Sequence, residues 1–175
     1  MIRLFKLTFI FVILAGAYFS FKQHNDSLTL WQSVTSQKNV KVKFPGNAKH
    51  TKKIRNFPII GQAKLQIYQL QTEPDLFVYI ELQARTKNLT QLKLNELEAT
   101  ILALNGTDDL KITNKHFFDL ESKPALDYVA HDKKGNLIYC RTIKINNQLV
   151  SMIYASPVEQ FSKKRHKQFF NSLTF

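Results

Sequence analysis

Two short turn signals in the last third of the chain constrain its architecture more than any other feature. Lys134-Gly135 and Asn146-Asn147 are residue pairs that tolerate positive φ, and each stands between apolar-rich runs. As two-residue hairpin loops they set three strands in register. One face then carries the rows Val129–Cys140–Ile153, His131–Ile138–Ala155 and Asp127–Thr142–Ser151. The other carries Leu126–Ile143–Val150, Tyr128–Arg141–Met152 and Ala130–Tyr139–Tyr154. Both faces are mainly apolar, and a sheet greasy on two sides must be covered on two sides. The expected fold class is α+β: a central, mainly antiparallel sheet sandwiched between helices, preceded by an N-terminal membrane-targeting helix.

Other segments supply the remaining parts. Val40-Lys41-Val42-Lys43-Phe44 alternates apolar and charged residues and stops at Pro45-Gly46, which predicts an edge strand ended by a turn. Lys64 to Gln71 and Leu76 to Ala84 predict a hairpin around Glu73-Pro74-Asp75. In its second strand Leu76, Val78, Ile80, Leu82 and Ala84 share one face, with Phe77 and Tyr79 on the other. Leu94, Leu97, Ile101 and Leu104 recur at helical spacing, so a helix is expected over Asn95 to Leu104, with Asn95 as N-cap and Gly106 closing it. Leu110 to Asp132 reads as strand-rich. Ser156-Pro157 predicts the start of a second helix, with Phe161, Phe169, Phe170 and Leu173 turned inward and Lys163, Lys164, Arg165 and Lys167 facing water.

The first twenty-five residues read as a targeting signal. Arg3 and Lys6 precede an uncharged run from Leu7 to Phe21, and Ala15-Gly16-Ala17 offers the small residues a signal peptidase needs. The run spans about 22 Å as a helix, short of a hydrocarbon core of roughly 30 Å; extending it back to Leu4 leaves Lys6 to snorkel. A cleaved signal and an inner-membrane anchor over residues 4–21 both stay open, and both place the remainder outside the cytoplasm, in the periplasm. Residues 26–37 form a polar linker and 38–175 one domain. Trp31, with Leu28, Leu30 and Val34, either docks on that domain or sits at the membrane interface.

A formal charge of +12 favours anionic partners. Lys38, Lys41, Lys43, Lys49, Lys52, Lys53 and Arg55 bring seven cations and no acid into eighteen residues, and Lys163, Lys164, Arg165 and Lys167 add a second cluster. The candidates are an acidic envelope protein or an anionic membrane surface; a merely solvated face explains the same residues. Nucleic acid is disfavoured, because Phe44 and Phe57 are expected in the core and not interleaved with the cations. Asn-x-Ser/Thr triplets at Asn25, Asn88 and Asn105 would matter only in a eukaryotic secretory pathway.

The order of these elements, with Val42-Lys43-Phe44-Pro45-Gly46, the Tyr68 and Val78-Tyr79 hairpin, the mid-chain helix, the Leu149–Tyr154 strand and the closing Phe169-Phe170-Asn171-Ser172-Leu173-Thr174-Phe175, resembles the PsbP-like (DcrB-like) α/β/α sandwich superfamily over residues 38–175. The resemblance implies a scaffold or binding module without shared catalytic residues. This chain lacks the lipidated Cys of bacterial lipoprotein members.

The sharpest catalytic combination is Cys140, His131 and Asp127, placed on one sheet face by the inferred register, a thiol beside its base. Between Val129 and Ile153, however, a thiol is expected to be inert packing. With one Cys, neither an intrachain disulfide nor a Cys-rich zinc site can form, and the five His show no metal-ligand spacing. No metal or cofactor is expected. The expected role is a non-enzymatic binding or scaffold module of an envelope complex, acting through its basic surface; the alternatives are a domain holding a small or lipidic molecule between sheet and helix and, remotely, a thiol-dependent enzyme.

Overall fold

The computed structural model describes residues 31–36, 39–106 and 109–175. The targeting segment 1–25 and Lys38 lie outside these residues. Among the described residues, no helix is long and apolar enough to cross a membrane.

Seven strands form one sheet: β3 (Lys49–Phe57), β4 (Gly61–Gln71), β5 (Leu76–Ala84), β6 (Lys111–Leu120), β7 (Lys123–His131), β8 (Asn136–Ile145) and β9 (Gln148–Pro157). Their spatial order is β3-β4-β5-β9-β8-β7-β6, antiparallel throughout. Two hairpin-connected meanders are thus joined at the β5–β9 pair. The expected hairpin at Glu73-Pro74-Asp75 is present, with Ile67 opposite Ile80 and Tyr68 opposite Tyr79. Central β5 is buried on both faces, as its unbroken Leu-Phe-Val-Tyr-Ile run requires.

The two apolar faces are covered differently. Helix α1 (Leu94–Asn105) lays Leu97, Ile101 and Leu104 over Leu65, Ile80 and Leu82. Full burial of each such side chain contributes roughly 1.5–3 kcal/mol. The opposite face carries Phe77, Tyr79, Val150, Met152 and Tyr154. Its cover is helix α2 (Lys163–Phe170) together with a separate two-stranded ribbon, β1 (Gln32–Thr35) and β2 (Lys41–Phe44). The result is richer in sheet than a sandwich between two helical layers. Ribbon and C-terminal segment are joined by a bridge from Lys41 to Thr174 and a bond from the Lys43 N–H to Ser172 Oγ. Trp31 docks on the domain, edge-on to Phe77 at 6.0 Å.

Four expectations need correction. Lys41–Phe44 is not an edge strand of the main sheet; it pairs with β1 and turns Val42 and Phe44 into the second core. The N-cap of α1 is Lys93, whose backbone N–H meets the Glu96 carboxylate at 3.0 Å, and Leu94 is exposed; Gly106 closes the helix in the left-handed region at φ 67° as expected. Ser156-Pro157 starts no α-helix: β9 runs through both residues, a single 3₁₀ turn follows over Val158–Gln160, and α2 begins after Ser162, whose hydroxyl accepts from Arg165 N–H.

The fourth correction is a register. The β8–β9 pairing matches expectation, Cys140 opposite Ile153. In β7–β8, however, Cys140 faces Tyr128 and not Val129. The loop holds three residues, 133–135, because Asp132 closes it: its backbone pairs with Asn136, and its carboxylate accepts from the N–H groups of Lys134 and Asn136 and from the Asn136 amide. Gly135 sits at φ 81°, the left-handed position that three-residue loops place last. A slip of one residue sends every β7 side chain to the other face.

Candidate functional site

The slip dissolves the catalytic combination. Cys140, with Tyr128 and Ala130, faces α1, whereas Asp127 and His131 belong to the opposite face. Asp127 is committed there to Arg141, which donates from Nε at 2.9 Å and from Nη2 at 2.7 Å. Cys140 is 2% exposed, and burial pushes its thiol up to about 11, so the thiolate a nucleophile needs is suppressed. Asn105 Nδ2 donates to the sulfur and to Thr142 Oγ1, Thr142 donates to Ser151, and Ser151 returns a bond to Asn105 Oδ1. This closed ring of polar groups pins the end of α1 to the sheet. Among the described residues no group of His, Cys, Asp and Glu side chains is arranged to hold a metal.

The basic residues are spread over three elements. Lys41 and Lys43 are exposed on the ribbon, and Lys163, Lys164 and Lys167 on α2. Arg165 is tied inward: its Nη1 lies 2.7 Å from the fully buried Asp75 carboxylate, an ion pair without hydrogen-bond alignment, while Tyr154 Oη donates to the other Asp75 oxygen. Lys49, Lys52, Lys53 and Arg55 lie on β3, the outermost strand. Alternation splits them, Lys49, Lys53 and Arg55 to the α1 face and Lys52 to the other. Lys52 and Lys53, adjacent in sequence, therefore point to opposite faces.

The α1 face holds a feature that the sequence did not announce. Twelve helical residues span about 18 Å, while seven strands about 4.8 Å apart spread over roughly 29 Å. Beyond Gly106 the sheet face lies open, leaving a groove of about 430 Å³. Its floor is Ile67, Val78, Ile138, Ile153 and Ala155, and Leu104 forms a wall. Its polar lining includes Tyr128 and Asn105 and, from the turns, Glu73, Asp132, Lys134 and Asn136. The size is that of a small-molecule site, and the apolar floor with few polar groups is the usual composition. The available signal was a ledger of cover: more apolar positions on β4, β5, β8 and β9 than one short helix can reach.

Across the sheet, His166 of α2 stands among Tyr139 at 4.3 Å, Phe170 at 4.8 Å, Phe161 at 5.6 Å and Tyr154 at 5.9 Å, measured between ring centroids. Burial, then the Arg141 charge, holds its pKa below the usual histidine value; Lys167 adds to this and Asp127 opposes it. As pH falls through about 6.5 the unfolded chain takes up a proton that the folded chain refuses, so stability drops until the folded pKa is passed. Urea melts at pH 7.5 and 5.0 should show His166→Phe losing less stability than the parent. Equal losses in the two proteins would remove His166 from the account.

No protein-family model matches the sequence, and no curated protein matches it either. Among solved structures, the chain is similar to cyanobacterial PsbP (CyanoP) from Synechocystis sp. PCC 6803, with a TM-score of 0.57 at 11% identity, covering 87% of this chain and 96% of that one. It is also similar to PA94, a protein of unknown function from Pseudomonas aeruginosa, with a TM-score of 0.42 at 10% identity over 83% of this chain and 96% of that one.

Proposed function

We propose that this chain, PsbP-like in fold, is a non-enzymatic binding domain of the bacterial envelope. Residues 1–25 export it, and it is then released into the periplasm or held at the inner membrane by residues 4–21. The observation that carries the binding role is the open apolar groove beside α1. It suits a molecule with an apolar body and one polar end, the body on Val78 and Ile153 and the polar end toward Asn105 or the rim. Burying eight methylenes at about 0.8 kcal/mol each contributes about 6 kcal/mol, against which the cost of association is set, so affinity should climb with chain length until the groove is full.

Saturated fatty acids of eight to sixteen carbons are the probe. Melting temperature should rise with ligand concentration for chains that fit, and Ala155→Trp, which fills the groove from a half-buried floor position, should abolish the rise while the protein stays folded. A melting curve indifferent to every chain length would sink the lipid assignment.

A second reading, scaffolding through basic surfaces against an acidic protein or an anionic membrane, is favoured by one observation. Strand β3 carries four cations and no acid in nine residues at an edge of the sheet.

A further inference from the structure

We infer that the polar end of the sheet face under α2 binds an acidic sugar, one that carries a carboxylate or a phosphate among its ring hydroxyls. This is a second site, across the sheet from the groove beside α1. The face changes character along one line. Tyr68, Tyr79 and Val150 belong to the aromatic core beneath the ribbon and α2. The next residues on the same face of their strands are Gln66, Glu81 and Gln148. Past that line lies a hollow of about 690 Å³, within the range of small-molecule sites. Across four strands Ile54, Lys64, Gln83 and Gln148 stand as register partners in one row, with Lys52, Gln66 and Glu81 in the row beside it. Members of a row are set about 4.8 Å apart by the strand spacing.

The donor set selects the ligand. Gln66, Gln83 and Gln148 bring three amides to the hollow, and each amide offers donors and an acceptor together. That is the complement of a hydroxyl, which gives one hydrogen bond and takes others. Lys52 and Lys64 are exposed, and among the described residues neither stands in an ion pair. They supply compact positive charges for an oxyanion. The one carboxylate present, Glu81, is buried and already bonded: it accepts from the Tyr79 hydroxyl at 2.7 Å and from the Gln66 amide at 3.3 Å. The same contact holds the Gln66 side chain in place on a strand, so part of the site is built before a ligand arrives. Ile54, 60% exposed, offers an apolar side wall for the C–H edge of a ring. Among the described residues no aromatic ring lines the hollow, so a nucleobase has nothing to stack on. An alkyl chain would meet amides and cations where it needs an apolar floor.

The test is titration calorimetry of the full chain with trigalacturonate, which carries carboxylates, and with glucose 6-phosphate. At least one should bind, and which one does identifies the anion. Maltotriose, which has the hydroxyls without the charge, and inorganic phosphate, which has the charge without the hydroxyls, should bind at least tenfold more weakly. Gln83→Leu with Gln148→Leu should weaken the sugar at least tenfold and leave inorganic phosphate unchanged. Lys52→Gln with Lys64→Gln should weaken both anions. Ala155→Trp, on the far side of the sheet, should leave sugar binding as it is, so failure of this site and failure of the groove are read separately. Binding of neither sugar overturns the assignment. So does inorganic phosphate binding as tightly as the sugar, or a sugar affinity indifferent to the glutamine and lysine replacements in variants that melt at the parent temperature.

Discussion

Phe169→Ala is expected to destabilise the domain by about 3–5 kcal/mol, the range for removing a fully buried aromatic. Phe169 is 0% exposed and meets Phe44 at 5.4 Å, Phe77 at 5.2 Å and Phe170 at 5.6 Å. These rings belong to the ribbon, the sheet and the C-terminal helix, so one side chain joins three elements. Helix α2 has eight residues, too few to persist in water unaided, and loses its main anchor with the ring. The midpoint temperature should fall by roughly 10–20 °C. Trp31, the single tryptophan, packs on Phe77 and should report ribbon detachment by a red-shifted emission. A loss under about 1 kcal/mol with unchanged Trp31 emission would show that the ribbon and α2 do not depend on this contact.

Arg165→Ala should cost about 2–3 kcal/mol. Breaking a buried ion pair typically costs 3–5 kcal/mol because the remaining charge is stranded; Arg165 is 40% exposed, and water reaching its side of the pair lowers the figure. What remains is a wholly buried Asp75 with only the Tyr154 hydroxyl. The phenol is held as a donor, its pKa pushed up to about 12 by burial and then by Asp75. Lys163→Ala and Lys164→Ala, exposed on the same helix, should stay within about 0.5 kcal/mol. Urea unfolding of the three variants, with Asp75→Asn closing a double-mutant cycle, separates a specific pair from general loss of positive charge. Equal effects at all three positions would contradict the pair.

The sequence made the two-sided apolar sheet, the β4–β5 hairpin and the inert Cys140 legible, because each depends on local alternation or on one residue's chemistry. It hid what depends on a residue's partner. Lys134-Gly135 looked sufficient for a turn, but Asp132 recruited one more residue by offering its carboxylate to two backbone N–H groups. Lys49–Phe57 reads as a charge run and is a nine-residue strand, because an edge strand borrows its order from its neighbour instead of from its own apolar pattern. Among Lys163, Lys164, Arg165 and Lys167, nothing in the sequence marks Arg165 as the one that turns inward; Asp75 lies ninety residues earlier. The groove was invisible for another reason. It is a shortfall of cover, and a shortfall has no residues of its own.

The seam between ribbon and tail bears on the order in which the molecule can be completed. Lys43 and its partner Ser172 are 129 residues apart. While the chain lengthens, the sheet can assemble strand by strand, but the aromatic layer that holds Phe77 and Tyr154 has only the ribbon as cover until residues 169–174 arrive. A polypeptide that passes a membrane before folding meets no conflict in this, since all of its segments become available together; one that folds as it is made must keep that layer wet, or guarded, until the final turn.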